Sequence, residues 1–240
     1  ITYQAHQGNP HYNAARAIGD QQNRQHIKKG SVGTILNPEV TYPRSSAAHD
    51  IRAAEIYDLF YNRVFLDPAI KGEYPAELIA LLAKHHVNWE YDAQELAIIH
   101  ANRVDEVGIN LYYPHRVKAP SRAWHAETPF HPACYYEHFE LPGRRMNTSR
   151  GWEIQPAIVW DMAVRMKNDY DNFPWFVAEN GMGIENEARF KNADGEIQDD
   201  YRIAFITEHL YQALRARDAG MNCQGYMLWA FTDNVSPMNA

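Results

Sequence analysis

FPWFVAENGMG, residues 173–183, is the stretch from which the fold can be read. Pro174 is a turn residue. An uninterrupted apolar run follows, Trp175 to Ala178, and it stops abruptly at Glu179 and Asn180, with Gly181 and Gly183 behind. Continuous apolar residues over this length, bounded by turn signals, predict a fully buried strand of the parallel-sheet kind. Such sheets gather their active sites at the carboxyl ends of the strands, and Glu179 stands at that end. The two glycines predict a sharp turn of the backbone at positive φ. A solvated acid at a strand end is the plainer reading of the local pattern, so the rest of the chain has to choose.

Three more strands are expected, at Gly30–Leu36, Val104–Tyr112 and Cys223–Phe231. Between them lie helical patterns at Ser46–Leu66, Glu77–Lys84, Ala93–Ala101, Pro156–Tyr170 and Asp199–Asp218. Ser45 or Ser46 can cap the first of these. The last has Ile203, Phe205, Ile206, Leu210 and Leu214 as its expected core face. Thr2 to Gln25 reads as a poor helix interrupted by Gly8 and Pro10. Residues 37–43 and 181–197 read as loops, and residues 113–150 as one long loop rich in Pro, His and charge. Alternating strands and helices predict an α/β fold with a parallel sheet and right-handed crossovers. A closed (β/α)8 barrel needs eight strands, and the pattern supplies four. A flavodoxin-like open sheet is the alternative, but no phosphate-cradling glycine loop supports it. There is no internal repeat, and residues 1–240 are expected to form a single partial (β/α) barrel domain.

Composition removes several function classes. The 240 residues are 45% hydrophobic, which makes a globular core. Acidic residues outnumber basic ones, 30 to 23, which argues against nucleic-acid partners and anionic membranes. No apolar run has membrane-spanning length. Cys134 and Cys223 form no disulfide framework and lack zinc spacing, which fits a cytoplasmic location. His85-His86 and the histidines between His131 and His138 show no metal-ligand spacing. No cofactor and no metal are expected. The chain opens on Ile1 without a signal peptide, which suggests a processed or truncated start. Fifteen Tyr and six Trp suit sugar-binding walls as well as ordinary cores.

The string around Glu179 resembles the nucleophile motif of family one glycoside hydrolases, the family of β-glucosidases and 6-phospho-β-glucosidases, in which the Glu of a [TSA]-E-N-G strand end attacks the sugar. Phe65–Pro75, FLDPAIKGEYP, is similar to a second family string, FLDP…KGEYP, with a structural role as a loop and helix start. Gly108–Pro114, GINLYYP, is similar to the family's GINYY, with Leu111 departing from the pattern. The resemblance runs from about Ser31 to Ala240, with a weak further match at Tyr3-Gln4-Ala5-His6. It implies a TIM barrel of which this chain holds strands five to eight, the C-terminal half.

The resemblance also implies roles. Glu179 is the expected nucleophile of a retaining, double-displacement glycosidase, and Tyr112 the residue that orients it. Asn110 is expected to bind substrate, and Trp229 to form the floor under the sugar ring. Ser236 stands where β-glucosidases of the family carry a sugar-binding Glu, which resembles the 6-phospho members. A hydroxyl can donate to a phosphate dianion that a carboxylate would repel. Pro237 leans toward gluco over galacto substrates. The second carboxylate of a retaining pair is held ~5–5.5 Å from the first. The T-x-N-E-P motif that carries it in the family is absent from residues 1–240. Asn37-Pro38-Glu39 has the same residue types in another order and is not taken for the acid, and Glu153 in GWEI is expected to be structural.

The resemblance therefore implies a 6-phospho-β-glucosidase-type hydrolase of phosphorylated β-glucosides, with this chain a fragment that alone is expected to be inactive or nearly so. An ordinary β-glucosidase half is the alternative within enzymes. A non-catalytic half-barrel scaffold is the alternative outside them, pairing with itself or with the missing N-terminal half through open sheet edges.

Overall fold

The computed structural model describes residues 10–27, 29–87, 92–122, 130–230 and 232. They form two compact units, one of residues 1–107 and 114–142, the other of residues 108–113 and 143–240.

Among its described residues the first unit holds five α-helices and four short strands, besides the start of a further one. Helix α1, Pro10–His26, starts on a proline, whose missing N–H is an orphan at a helix start anyway, and ends with Arg24 and His26 at its carbonyl end. It buries Ala14 and Ala17, and Asn13 donates to the Tyr74 hydroxyl at 2.6 Å. Strand β1 is Gly33–Leu36. Residues 37–43, expected to be a plain exit loop, contain strand β2, Thr41–Pro43.

Helix α2 is Ala48–Asp58, and a π-helical turn, Leu59–Arg63, joins it to α3, Val64–Ile70. Neither serine caps α2 in the expected way. Ala47 holds the cap position without a side-chain bond, while Ser45 donates to the buried Asp50 carboxylate at 2.6 Å. That carboxylate also takes the Ala119 N–H, at 2.9 Å, and the Arg44 guanidinium, which together hold its pKa down at about 2. Pro68 lies inside α3, which runs on past the expected helix end at Leu66 to Ile70. A proline costs a helix one hydrogen bond and a steric clash. Complete or near-complete burial of Leu66, Ala69 and Ile70 outweighs that cost here.

Helices α4, Ala76–Lys84, and α5, Ala93–Ala101, follow. Asp92 and Glu95 cap α5 reciprocally. Leu78, Leu81 and Ile99 pack with Ile56, Leu59, Phe60 and Val64 into the core of this unit.

Strand β3, Glu106–Asn110, begins in the first unit and ends in the second. The stretch expected to be one long loop carries further strands. In the first unit β4, His115–Lys118, pairs parallel with β2 and antiparallel with β5, Glu137–His138.

The second unit holds the residues singled out first. Strands β6, Met146–Asn147, and β7, Trp152–Glu153, pair as an antiparallel hairpin. Helix α6, Ala157–Asp169, buries Ile158, Val159, Met162, Ala163 and Met166 completely. Strand β8, Trp175–Asn180, lies between β3 and the parallel strand β9, Cys223–Leu228. Trp175 and Val177 are fully buried, as a two-sided parallel strand requires.

Helix α7, Asp200–Asp218, links β8 to β9. Its buried residues are Phe205, His209, Ala213 and Ala216. Of the face expected from the sequence only Phe205 is buried. Ile203, Leu210 and Leu214 are exposed. No helix among the described residues is long and apolar enough to cross a membrane.

Candidate active site

Glu179 is the fifth residue of β8, at the carboxyl end of a strand that is flanked on both sides. The backbone around it is fixed from two directions. Leu111, just past the end of β3, donates its N–H to the Glu179 carbonyl at 2.9 Å, and Trp229 donates its N–H to the Asn180 carbonyl at 2.9 Å. The ladder therefore continues on both sides up to the residue that carries the acid.

The glycines behind Glu179 act differently from the expected turn. Neither Gly181 nor Gly183 has a positive φ of the left-handed kind. They are needed for close approach. A Cβ on Gly181 would collide with the Trp229 carbonyl oxygen, and one on Gly183 would lie 2.6 Å from Nε of Arg150. The Asn147 side chain donates to the Gly183 carbonyl at 3.0 Å, and Arg202 of α7 donates to the Met182 carbonyl at 3.0 Å. The loop leaving the acid is thus pinned to the β6–β7 hairpin and to the first turn of α7.

The structure brings Tyr112 and Glu179 together. The phenol donates to Oε2 of the carboxylate at 2.8 Å across 67 residues of sequence. Burial, and then the bond to Glu179, push the Tyr112 pKa well above its ordinary value, so the hydroxyl stays a donor. Tyr112 also lies against Trp152, centroids 5.4 Å apart, and Trp152 stacks on Tyr113 at 4.9 Å. An aromatic wall therefore backs the phenol.

Asn110 ends β3, and its Oδ1 is buried without a hydrogen-bond partner among the described residues. Trp229 follows β9 and is 51% exposed. Ser236 lies outside the described residues.

Sequence reasoning missed the part played by Asn180. Its side chain is fully buried, donates to the Leu111 carbonyl at 2.6 Å and accepts from the Tyr226 hydroxyl. It ties the exit of β3 to β9 beneath the acid. The signal available was Asn180 itself, a polar residue at the end of an apolar strand, but its partners come from two other strands. In the first unit, Glu39 is fully engaged. Its carboxylate accepts from the Tyr57 hydroxyl at 2.5 Å and pairs with His115 at 2.9 Å, while Asn62 clasps its backbone N–H at 2.7 Å and its carbonyl at 2.8 Å.

A carboxylate presented at a strand end, oriented by one phenol and backed by aromatic rings, is suited to nucleophilic attack on a carbon held against the wall. Comparison with known proteins bears on this arrangement. The sequence model of Glycosyl hydrolase family 1 matches residues 2–240. The 6-phospho-beta-glucosidase GmuD of Bacillus subtilis is 47% identical over 227 residues, 95% of this chain and 48% of that protein. Beta-glucosidase A of Acetivibrio thermocellus is 32% identical over 205 residues, 85% of this chain and 43% of that protein. Among solved structures, the family 1 b-glucosidase from Thermotoga maritima superposes with a TM-score of 0.78 at 26% identity, over 94% of this chain and 47% of that one. The chain spans about half the length of the curated relatives it matches. Its α/β fold is that of about half of their (β/α)8 barrel.

Proposed function

The chain belongs to glycosyl hydrolase family 1, and from that membership we propose that it supplies the nucleophile side of a retaining β-glycosidase site of the 6-phospho-β-glucosidase type. Glu179 attacks the anomeric carbon to form a glycosyl-enzyme ester, and water then releases the sugar. Tyr112 holds the carboxylate in the attacking orientation. Asn110 and Trp229 contact the sugar, and Ser236 contacts its phosphate. The general acid that protonates the leaving oxygen is not among residues 1–240, where no T-x-N-E-P string occurs. Residues 1–240 alone are therefore expected to be inactive or nearly so on ordinary glycosides. The single observation that carries the reading is the 2.8 Å bond from Tyr112 to Glu179 at a strand end.

The test needs no general acid. A 2,4-dinitrophenyl 2-fluoro-β-glucoside has a leaving group that departs unprotonated, and the fluorine slows release of the ester, so the nucleophile stays labelled. Mass mapping is expected to place the sugar on Glu179. Labelling of any other carboxylate overturns the assignment.

Preference for a 6-phosphorylated substrate is supported by the similarity to the Bacillus subtilis 6-phospho-beta-glucosidase and by Ser236. It predicts faster labelling by the 6-phospho form of the reagent, and a loss of that preference in Ser236→Glu, which sets like charge against the phosphate. Equal rates with both reagents favour the ordinary β-glucosidase reading, which the similarity to beta-glucosidase A of Acetivibrio thermocellus supports. No label at any carboxylate favours a non-catalytic scaffold.

A further inference from the structure

The backbone directly behind Glu179 cannot hold itself in place. Met182 stands between Gly181 and Gly183, and glycine gives a chain its widest freedom. The strand ladder ends just before, where the Trp229 N–H meets the Asn180 carbonyl. Side chains take over from there. Arg202 donates to the Met182 carbonyl and Asn147 to the Gly183 carbonyl, and the Ser149 hydroxyl oxygen accepts the Glu185 N–H at 3.1 Å.

Arg202 differs from the other two in what it joins. Its guanidinium commits three nitrogens to three acceptors. Nε reaches the Met182 carbonyl at 3.0 Å, Nη1 reaches Oδ1 of Asp199 at 2.8 Å, and Nη2 pairs with the Glu187 carboxylate. Met182 and Glu187 lie on the near and far limbs of the loop that leaves the acid. The Tyr201 hydroxyl donates to the same Glu187 carboxylate at 2.9 Å. The Tyr201 ring lies 5.2 Å from the guanidinium and 4.3 Å from the ring of Phe190. Asp199 holds the cap position of α7, and Arg202 lies in the first turn. One planar group therefore ties both limbs of the loop to a helix that packs on α6 and β9.

This hold reaches the acid through Gly181. That glycine joins Met182 to the end of β8 and sits so close to the Trp229 carbonyl that a Cβ would collide with it. A loop that swings at Met182 moves Gly181, and with it the strand end that carries Glu179. Tyr112 ties one carboxylate oxygen and leaves the strand end to the backbone. Attack needs reacting atoms aligned about 3–3.5 Å apart, and a misplacement of about 1 Å costs about 100-fold.

We propose that Arg202 is a positioning residue for the nucleophile: by bonding Met182 and Glu187 from the first turn of α7, it sets where the end of β8 presents Glu179. The inference rests on the assignment of Glu179 as nucleophile. The role belongs to the planar fork and not to the charge alone. Lysine keeps the charge, but its ammonium is a compact point donor that does not span the three acceptors.

The test is labelling of the chain by the 2,4-dinitrophenyl 2-fluoro-β-glucoside over a range of reagent concentrations. This separates the maximal labelling rate from the half-saturating concentration. Arg202→Lys is expected to lower the maximal rate about 10- to 100-fold and leave the half-saturating concentration within about threefold. Glu208→Gln removes the ion pair of α7 with Arg145 and controls for the loss of a helix contact. It is expected to keep the maximal rate within about twofold of the parent. Arg202→Lys combined with Tyr112→Phe is expected to lose less than the product of the two single losses, because both act on one carboxylate. A maximal rate in Arg202→Lys within about twofold of the parent overturns the proposal. So does an equal loss in Glu208→Gln, a change confined to the half-saturating concentration, or a double variant that loses the full product. Absence of label from Glu179 in the parent chain is a different result: it removes the nucleophile assignment, and this inference with it.

Discussion

Oη of Tyr112 lies 2.8 Å from Oε2 of Glu179, and the two residues come from the carboxyl ends of adjacent strands. Only one carboxylate oxygen is tied by this bond, so the other can attack while the first stays oriented. A hydrogen bond to a charged group contributes about 1.5–3 kcal/mol. Tyr112→Phe is therefore expected to slow labelling of Glu179 by the dinitrophenyl fluoro-glycoside roughly 10- to 100-fold, with little change in Tm. A labelling rate within twofold of the parent removes Tyr112 from the mechanism.

Asn180 yields a stability prediction of a different kind. Its carboxamide satisfies the Leu111 carbonyl and the Tyr226 hydroxyl in a fully buried place. Asn180→Ala leaves both without a partner, which costs about 2–5 kcal/mol. Tyr226→Phe removes one donor and leaves one acceptor, so its cost is expected to be smaller. Urea unfolding with tryptophan fluorescence measures both. Equal midpoints for the parent and Asn180→Ala dismiss the strut.

His209 predicts a pH dependence. It is fully buried, donates through Nδ1 to the Phe205 carbonyl at 2.7 Å and stacks on Phe205. Burial pushes its pKa down to about 4, against an ordinary value near 6.5. Above pH 6.5 the imidazole is neutral in both folded and unfolded chains and contributes no pH dependence. Between about 6.5 and 4 the unfolded chain takes up a proton that the folded one refuses. Stability therefore falls as pH drops through this window, by up to about 3 kcal/mol. His209→Gln is expected to flatten that part of the profile, read from urea midpoints at pH 7 and 4.5. An identical slope in the variant assigns the loss to other groups.

The carboxyl end of β8 could be read in the sequence because its information is local. FPWFVAENG holds an apolar run and its acid within one strand, and GINLYYP sets Tyr112 two residues past the end of its strand. Asn180 was passed over because its partners are contributed by two other strands, which no local pattern records. The face of α7 was misassigned for a related reason. Its apolar residues are divided between two directions, and the buried one is completed by His209, Ala213 and Ala216, which carry little hydropathic signal. Strands β5, β6 and β7 are two residues long, too short to show a period of two. The helical pattern ends at Leu66 in the sequence, but burial of Leu66, Ala69 and Ile70 carries the helix on through Pro68.

The last prediction concerns the leaving group. Protonation of the departing oxygen by a positioned acid is worth about 10²–10⁴-fold, and the same residue later activates water. With Glu179 present and the acid motif absent from residues 1–240, both steps change in a recognisable way. Attack on a dinitrophenyl glycoside needs no acid, so a burst of dinitrophenol is expected. An alkyl glycoside needs the acid fully, so its turnover is expected to fall below detection. Release of the ester needs a base to deprotonate water, whereas azide is a nucleophile that carries no proton to remove. Added azide should therefore turn the burst into steady turnover and yield β-glycosyl azide. Glu179→Gln is expected to abolish both the burst and the azide product, which separates the chain's own chemistry from a contaminant. If the alkyl glycoside is turned over within tenfold of the dinitrophenyl one, with no response to azide and full loss in Glu179→Gln, then residues 1–240 already contain the acid and its assignment elsewhere is wrong.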